Sequence, residues 1–128
     1  MSRVKAVCFD CADPWHLGHW WAPILGYRVR PHSKDDLEWL AASGFGGPEE
    51  DPTIALDPVS GNGPTIWFNR VPEPKKVKNR AHLDVYGDWR EIVASGATVA
   101  HGPGEVSDHW VVLADPEGNE FCVFPASA

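Results

Sequence analysis

The sequence contains no long apolar run and few basic residues, and both absences narrow the possible classes of function. Its 128 residues include 11 lysines and arginines against 18 acidic residues, which gives a formal net charge of -7. The basic residues form no stripe, which argues against nucleic acid or an anionic membrane surface as the main partner. No apolar segment approaches the length of a membrane span, and the N-terminus lacks the apolar region of a signal peptide. We therefore expect a cytoplasmic protein.

Cysteine is also scarce, with only Cys8, Cys11 and Cys122 in the chain. An odd number of cysteines in a reducing compartment predicts free thiols rather than a disulfide framework. Cys8 and Cys11 have the spacing of a zinc or thioredoxin-like pair, but residues three apart on a strand point to opposite faces. We favour buried structural thiols over a redox or zinc pair.

The sequence does contain an internal repeat of a strand, an acidic helix cap, a helix and a glycine. The first copy starts with the mostly apolar strand 4–11, predicted to be buried on both faces, and the second starts with strand 81–86. Further strands are predicted at 27–30, 53–56, 65–71, 97–101, 109–114 and 120–124. The repeat predicts one domain, 1–128, made of module one (about 1–71), a linker (72–79) and module two (80–128), with any site between the modules. The segment 34–47 is either a short helix or a mobile flap.

Five segments spread over nearly the whole chain carry a family resemblance: Phe9–Pro14, Trp20–Gly26, Val71–Lys75, Asn79–Asp84 and Asp115–Cys122. With these segments the chain resembles a glyoxalase-like protein of the vicinal oxygen chelate (glyoxalase/bleomycin resistance/dioxygenase) superfamily. The resemblance implies an α+β fold of two βαβββ modules whose curled mixed sheets surround a shared pocket, commonly in a homodimer. It leaves the activity open, because the same fold hosts metal-dependent glyoxalases, extradiol dioxygenases, fosfomycin-modifying enzymes and bleomycin-binding resistance proteins.

The resemblance also implies a divalent metal held by His, Gln or Glu side chains from both modules. His82 matches one of these positions, whereas Ala6 stands at the first ligand and Cys122 stands at the glutamate of the last strand. The middle strand offers no acid or histidine at 66–69. Because alanine supplies no ligand atom and hard cations prefer oxygen and imidazole ligands, we predict no metal cofactor. If a metal binds, the alternative set is His82 with Cys8 and Cys122, which suits zinc.

Seven tryptophans provide flat surfaces for core packing or for stacking a planar ligand. Asp84 and His82 are two apart on a predicted strand and share a face, either as a pocket acid or base or as a structural pair. We predict that a ligand pocket is lined by Trp20, Trp67, Phe68, His82, Asp84, Trp110 and Cys122, with Trp39 as a further candidate. A one-residue slip of register exchanges Trp67 for Ile66 or Phe68 in that pocket.

These residues favour a metal-independent protein that binds a hydrophobic or aromatic small molecule, as in the resistance-protein branch of the superfamily. One alternative is a divalent-metal-dependent lyase or dioxygenase with a degenerate site around His82. Another is a dimeric scaffold that binds no ligand.

Overall fold

The computed structural model describes residues 1–126. The chain divides into two compact units, which we call the N-terminal unit (Met1–Pro74) and the C-terminal unit (Lys75–Ala128, described to Ala126).

The N-terminal unit is a four-stranded mixed sheet with helices. Its elements in chain order are β1 (Ala6–Cys11), α1 (Pro14–Leu25), β2 (Tyr27–Val29), α2 (Lys34–Ala42), a short 3-10 helix (Pro48–Glu50), β3 (Thr53–Pro58) and β4 (Thr65–Arg70). The strand order is β1-β4-β3-β2. β1 runs parallel to β4, and the other neighbours are antiparallel.

Local sequence explains why α1 begins and ends where it does. The Asp13 carboxylate accepts the backbone N–H of His16, and Pro14 occupies the first position of the helix, where its missing N–H is harmless. Gly26 ends the helix in the left-handed region with φ 69°. Gly18 lets α1 approach the sheet, since a Cβ there would lie 3.0 Å from a methyl carbon of Ile54. The helix thereby covers one face of the sheet.

The two faces of the N-terminal sheet differ. The face under α1 carries Ile54, Leu56, Ile66 and Phe68, all buried. Because side chains alternate along a strand, the residues between these point to the side away from α1, which we call the N-terminal far face. Its members include Cys8, Thr53, Ala55, Asp57, Thr65, Trp67 and Asn69.

The C-terminal unit repeats this topology with shorter elements. These are β5 (Asp84–Tyr86), α3 (Trp89–Ala94), β6 (Thr98–His101), β7 (Val111–Ala114) and β8 (Glu120–Phe124). The strand order is β5-β8-β7-β6, with β5 parallel to β8. The two mixed sheets confirm the predicted pair of βαβββ-like modules, with α2 as an addition to the first.

Alternation again separates two faces in this sheet. Ile92 of α3 is buried, as are the strand residues Val85, Val111, Leu113, Phe121 and Val123. The opposite side, which we call the C-terminal far face, carries Asp84, Tyr86, Val112, Glu120, Cys122 and Phe124.

Polar contacts hold the hairpin between β7 and β8. Asp115 is 3% exposed, and its Oδ1 accepts the backbone N–H groups of Glu117 and Asn119, each at 2.9 Å. Lys75 and Asn79, from the predicted linker, both donate to Glu120. This region is therefore bonded to the C-terminal sheet.

Three expectations about local structure are wrong or refined. β1 is not buried on both faces, because Cys8 is exposed; only Cys11 of the first two cysteines is buried. The predicted strand 81–86 is shorter in the structure, since β5 begins at Asp84 and His82 precedes it. The chain before Leu83 is held instead by a hydrogen bond from the backbone N–H of Asn79 to the Glu120 carboxylate. The segment 34–47 contains the helix α2, which Ser33 and Asp36 start with reciprocal side-chain-to-backbone hydrogen bonds.

Within the described residues, none of the helices combines the length and the apolar character that crossing a membrane requires.

Candidate functional site

Three of the predicted site residues come together on the C-terminal far face. Asp84 opens β5, and its register partner on β8 is Cys122. The Nε2 atom of His82 lies 3.3 Å from Oδ1 of Asp84. One donor atom from each residue, an imidazole nitrogen, a carboxylate oxygen and a thiol sulfur, lies within 4.8 Å of the others. We call this group the His82–Asp84–Cys122 cluster.

The environment of the cluster keeps its thiol neutral. Burial raises the pKa of Cys122, and the charge and hydrogen bond of the Asp84 carboxylate raise that pKa further, against a smaller lowering by Lys78. Because the thiolate is the nucleophile, a thiol with a raised pKa reacts poorly at neutral pH. The surroundings of Cys122 therefore do not activate its thiol as a nucleophile.

The donor set differs from the metal site that the family resemblance implies. His82 supplies the expected imidazole, but a thiol replaces the carboxylate at Cys122, and Ala6 on β1 has no ligand atom. Imidazole, carboxylate and thiolate together suit zinc, whereas magnesium and manganese favour sites built from oxygen. The cluster fits a zinc-like ion if Cys122 loses its proton on binding, and it does not fit a hard cation.

A row of three aromatic rings lies beside the cluster on the same face. Tyr86 and Phe124 are register partners on β5 and β8, two residues along each strand from Asp84 and Cys122. The ring of Trp110 stacks on Phe124, with centroids 5.2 Å apart and an interplanar angle of 29°. Tyr86 approaches Phe124 edge-on at 6.5 Å and is 72% exposed. We call these three residues the aromatic row.

The N-terminal far face combines one indole with an ion pair. The guanidinium of Arg30 donates to both carboxylate oxygens of Asp57 at 2.8 Å, and Thr65 Oγ1 donates to Asp57 Oδ1 at 2.8 Å. The hydrogen bonds from Arg30 lower the pKa of Asp57 to about 2. The same guanidinium lies 5.2 Å from the ring centroid of Trp67. Arg30 therefore covers one face of this half-buried indole.

Three of the other predicted residues of the N-terminal unit do not join Trp67, whereas Cys8 does. Phe68 is 0% exposed and stacks on Phe9 at 5.5 Å, which assigns it to the core under α1 rather than to a ligand surface. Trp20 is half-buried on α1, where its ring meets Trp21 edge-on. Trp39 is exposed on α2 beside Phe45. The exposed Cys8 is the register partner of Trp67 on the far face.

A groove of about 400 Å³ also lies at one end of the C-terminal unit. Trp110 lines it together with Trp89, Arg90, Asp108 and His109. The guanidinium of Arg90 lies 4.5 Å from the centroid of its neighbour Trp89. Trp110 therefore both stacks on Phe124 and lines this groove.

Sequence reasoning missed a histidine and aspartate pair in the N-terminal unit. His32 Nε2 lies 2.8 Å from Asp51 Oδ2, and each side chain is only 12% exposed. Both residues line a cavity of about 140 Å³ that also contacts Arg30 and Trp67. The one available signal was that His32 follows Pro31 and Asp51 precedes Pro52, each proline next to a predicted strand. The spacing of the two residues does not predict that they contact each other.

Comparisons with known proteins give the family. The Glyoxalase-like domain family matches residues 6–124. A glyoxalase/bleomycin resistance protein/dioxygenase family enzyme from Burkholderia phytofirmans PsJN is 20% identical with a TM-score of 0.60, over 96% of this chain and 98% of that one. A glyoxalase/dioxygenase from Nostoc punctiforme is 18% identical with a TM-score of 0.59, over 98% and 92% of the two chains.

The fosfomycin resistance protein FosX from Listeria monocytogenes is 10% identical with a TM-score of 0.61, over 99% of this chain and 93% of that one. No match was found among curated proteins. At these identities the solved structures support the fold alone, whereas the family match spans nearly the whole chain. The chain belongs to the glyoxalase-like domain family, within the vicinal oxygen chelate superfamily.

Proposed function

We propose that this protein binds a hydrophobic or aromatic small molecule without a metal ion. The observation that carries the proposal is the aromatic row on the C-terminal far face. Tyr86 in particular leaves most of its surface to solvent. The row combines the exposed ring of Tyr86 with the half-buried rings of Phe124 and Trp110. Aromatic rings that are partly open to solvent beside a few polar groups are the composition of a small-molecule site.

The chemistry beside the row supports a neutral ligand. The nearest polar groups are a neutral thiol, an imidazole and the carboxylate of Asp84, which gives the surface no net positive charge to attract an anion. On the N-terminal far face the charge of Arg30 is paired with Asp57. Trp67 supplies a further indole there. We therefore propose two separate ligand surfaces, one in each unit. The surface in the N-terminal unit is Trp67, and the surface in the C-terminal unit consists of His82, Asp84, Tyr86, Trp110, Cys122 and Phe124.

Variants of Phe124 in the aromatic row and of Trp67 on the N-terminal far face test this proposal. We expect naphthalene to bind with micromolar affinity, measured by equilibrium dialysis. Phe124→Ala or Trp67→Ala should weaken that affinity by roughly 1 to 3 kcal/mol if stacking supplies the binding energy. Trp39→Ala is the matched control, because Trp39 is an exposed tryptophan on α2 outside both far faces. Equal affinities in all four proteins would place the site elsewhere.

A divalent-metal-dependent lyase or dioxygenase is the second candidate, and the His82–Asp84–Cys122 cluster favours it. These three residues would hold a zinc-like ion, and such an ion polarises an oxygen of the substrate or activates water. Elemental analysis of purified protein separates the two candidates. One metal ion per chain that is lost in His82→Ala would support the enzyme, and metal-free protein that binds naphthalene would support the binding protein.

We also propose that the protein is a homodimer in the cytoplasm. Exposed large apolar residues such as Val99, Val106 and Trp39 are unfavourable in water and are commonly covered by a second chain. Cys8 and Cys122 are free thiols in the structure, which suits a reducing compartment. Sedimentation at micromolar concentration tests the dimer, and a monomer there would contradict it.

A further inference from the structure

The cavity of about 140 Å³ in the N-terminal unit is lined largely by polar residues. We call it the N-terminal cavity. Its polar and aromatic lining comes from Arg30, His32, Asp36, Asp51, Thr53 and Trp67. Its volume is below the 300 Å³ or more that is usual for a whole drug-sized ligand, and is enough for one end of a small ring.

The hydrogen bonds around Asp51 fix the tautomer of His32. Asp51 Oδ1 accepts the backbone N–H of Thr53 at 2.9 Å and its hydroxyl at 3.3 Å, so the carboxylate is held in place. Asp51 Oδ2 faces His32 Nε2 at 2.8 Å. Because an ionised carboxylate only accepts hydrogen bonds, Nε2 must carry the proton. In the neutral imidazole the other ring nitrogen, Nδ1, is then an acceptor.

The lining of the cavity offers three hydrogen-bond acceptors beside the guanidinium of Arg30 and the indole of Trp67. The Arg30 guanidinium already donates to Asp57 through two nitrogens, and the Thr53 hydroxyl already donates to Asp51. Asp36 is a carboxylate whose Oδ2 accepts the backbone N–H of Ser33. The acceptors therefore include two carboxylates and the imidazole. These acceptors favour a ligand group that donates a hydrogen bond.

We propose that the N-terminal cavity selects aromatic ligands that carry a hydroxyl group, with His32 Nδ1 accepting from the hydroxyl while the ring lies against Trp67. Asp51 is the positioning residue, since it sets which nitrogen of His32 accepts. This inference rests on the proposed binding of aromatic molecules and names the class of ligand. Aromatic rings that carry only a hydrogen-bond acceptor fit this cavity less well.

Three matched probes test the inference: naphthalene, 1-naphthol and 1-methoxynaphthalene. Equilibrium dialysis is done at about pH 8, where an ordinary imidazole is neutral. We expect 1-naphthol to bind roughly tenfold more tightly than 1-methoxynaphthalene, the value of one hydrogen bond to an oriented acceptor. His32→Phe should abolish this preference, which is measured as the ratio of the 1-naphthol and 1-methoxynaphthalene affinities of the same variant. His101→Phe, on the exposed edge strand β6, is the control and should keep the preference.

Asp51→Asn tests the positioning role separately, with a readout that a merely structural change would not move. The Thr53 N–H should keep the amide oxygen on its side, which turns the amide NH₂ toward His32 Nε2. Nε2 must then accept, so the proton moves to Nδ1. We expect the preference to reverse in favour of 1-methoxynaphthalene. If His32→Phe does not fold, this variant alone decides the question.

The outcomes separate the inference from the proposed function. Equal binding of all three probes by the unmodified protein would overturn the hydroxyl selectivity and leave aromatic binding intact. A preference for 1-naphthol that persists in both His32→Phe and Asp51→Asn would also overturn it. If none of the three probes binds at all, the proposed function itself is wrong.

Discussion

The two sheets of this protein have the same strand order but present different chemistry on their far faces. The N-terminal far face holds one indole beside a closed ion pair of Arg30 and Asp57. The C-terminal far face holds the aromatic row and the His82–Asp84–Cys122 cluster. Their covered faces, in contrast, are uniformly apolar. The repeat therefore determines which positions are covered, and the side chains at the other positions determine what each sheet can bind.

Removing a large buried side chain should destabilise the protein by a similar amount on the covered face of either sheet. Phe68 and Phe121 are at most 1% exposed and occupy the covered faces of the two sheets. We expect Phe68→Ala and Phe121→Ala each to lower the free energy of unfolding by about 3 to 5 kcal/mol, measured by urea denaturation. Trp67→Ala, one residue from Phe68 on the opposite face, should cost clearly less. If Trp67→Ala costs as much as Phe68→Ala, the assignment of the two faces of β4 is wrong.

The turn between β7 and β8 should depend more on a single side chain for its stability than the turn between β3 and β4. In the C-terminal unit the buried Asp115 accepts four hydrogen bonds from Glu117 and Asn119. In the N-terminal unit the exposed Ser60 accepts one, from the backbone of Asn62. Asp115→Ala should cost about 3 kcal/mol because buried donors lose their charged acceptor, and Ser60→Ala should stay within about 0.5 kcal/mol. A similar cost for both variants in urea denaturation would contradict this difference.

Acid should weaken each unit through a carboxylate whose pKa is about 2, Asp57 in the N-terminal unit and Glu120 in the C-terminal unit. The Arg30 hydrogen bonds lower the pKa of Asp57 to about 2; burial acts to raise the pKa of Glu120, but hydrogen bonds from Lys75 and Asn79 bring it to about 2 as well. Both folded-state values lie below the ordinary ones, so the stabilisation is complete above about pH 4.5 and is lost as the pH falls toward about 2.

Asp57→Asn should remove the part of this pH dependence that comes from the N-terminal unit. The full shift corresponds to about 2.4 kcal/mol, and screening at the half-exposed Arg30 reduces the expected contribution to about 1 kcal/mol. The measurement is urea denaturation between about pH 5 and pH 2. Asp35→Asn, at an exposed position on α2, is the control. If the free energy of unfolding depends on pH in the same way in Asp57→Asn as in the unmodified protein, the ion pair of Arg30 and Asp57 does not contribute to that dependence.

Much of the fold was predictable because its signals are local. Asp13, Pro14 and Gly26 mark the ends of α1, and strand and helix signals recur in the second half. The register of β4 was not decidable, because Ile66, Trp67 and Phe68 are all apolar and only packing under α1 distinguishes them. The start of β5 was misplaced because the hydrogen bond from Asn79 to Glu120 joins residues 41 positions apart.

The candidate site was predictable only in part. His82, Asp84 and Cys122 were named from their positions in matching segments, and β5 and β8 pair so as to bring them together. His32 and Asp51 were missed because they lie 19 positions apart with α2 and a 3-10 helix between them, and no local pattern records a contact across such a segment. Long-range pairing is the part of the site that one sequence does not display.

The central claim is that the protein binds an aromatic molecule without a metal ion, and titration of the demetallated protein tests it most directly. Protein treated with a chelator and freed of metal by dialysis is titrated with naphthalene in a calorimeter. The account predicts binding of micromolar affinity that does not change when one equivalent of zinc is restored. Binding that is absent from the metal-free protein and returns only with zinc, through the His82–Asp84–Cys122 cluster, would contradict it.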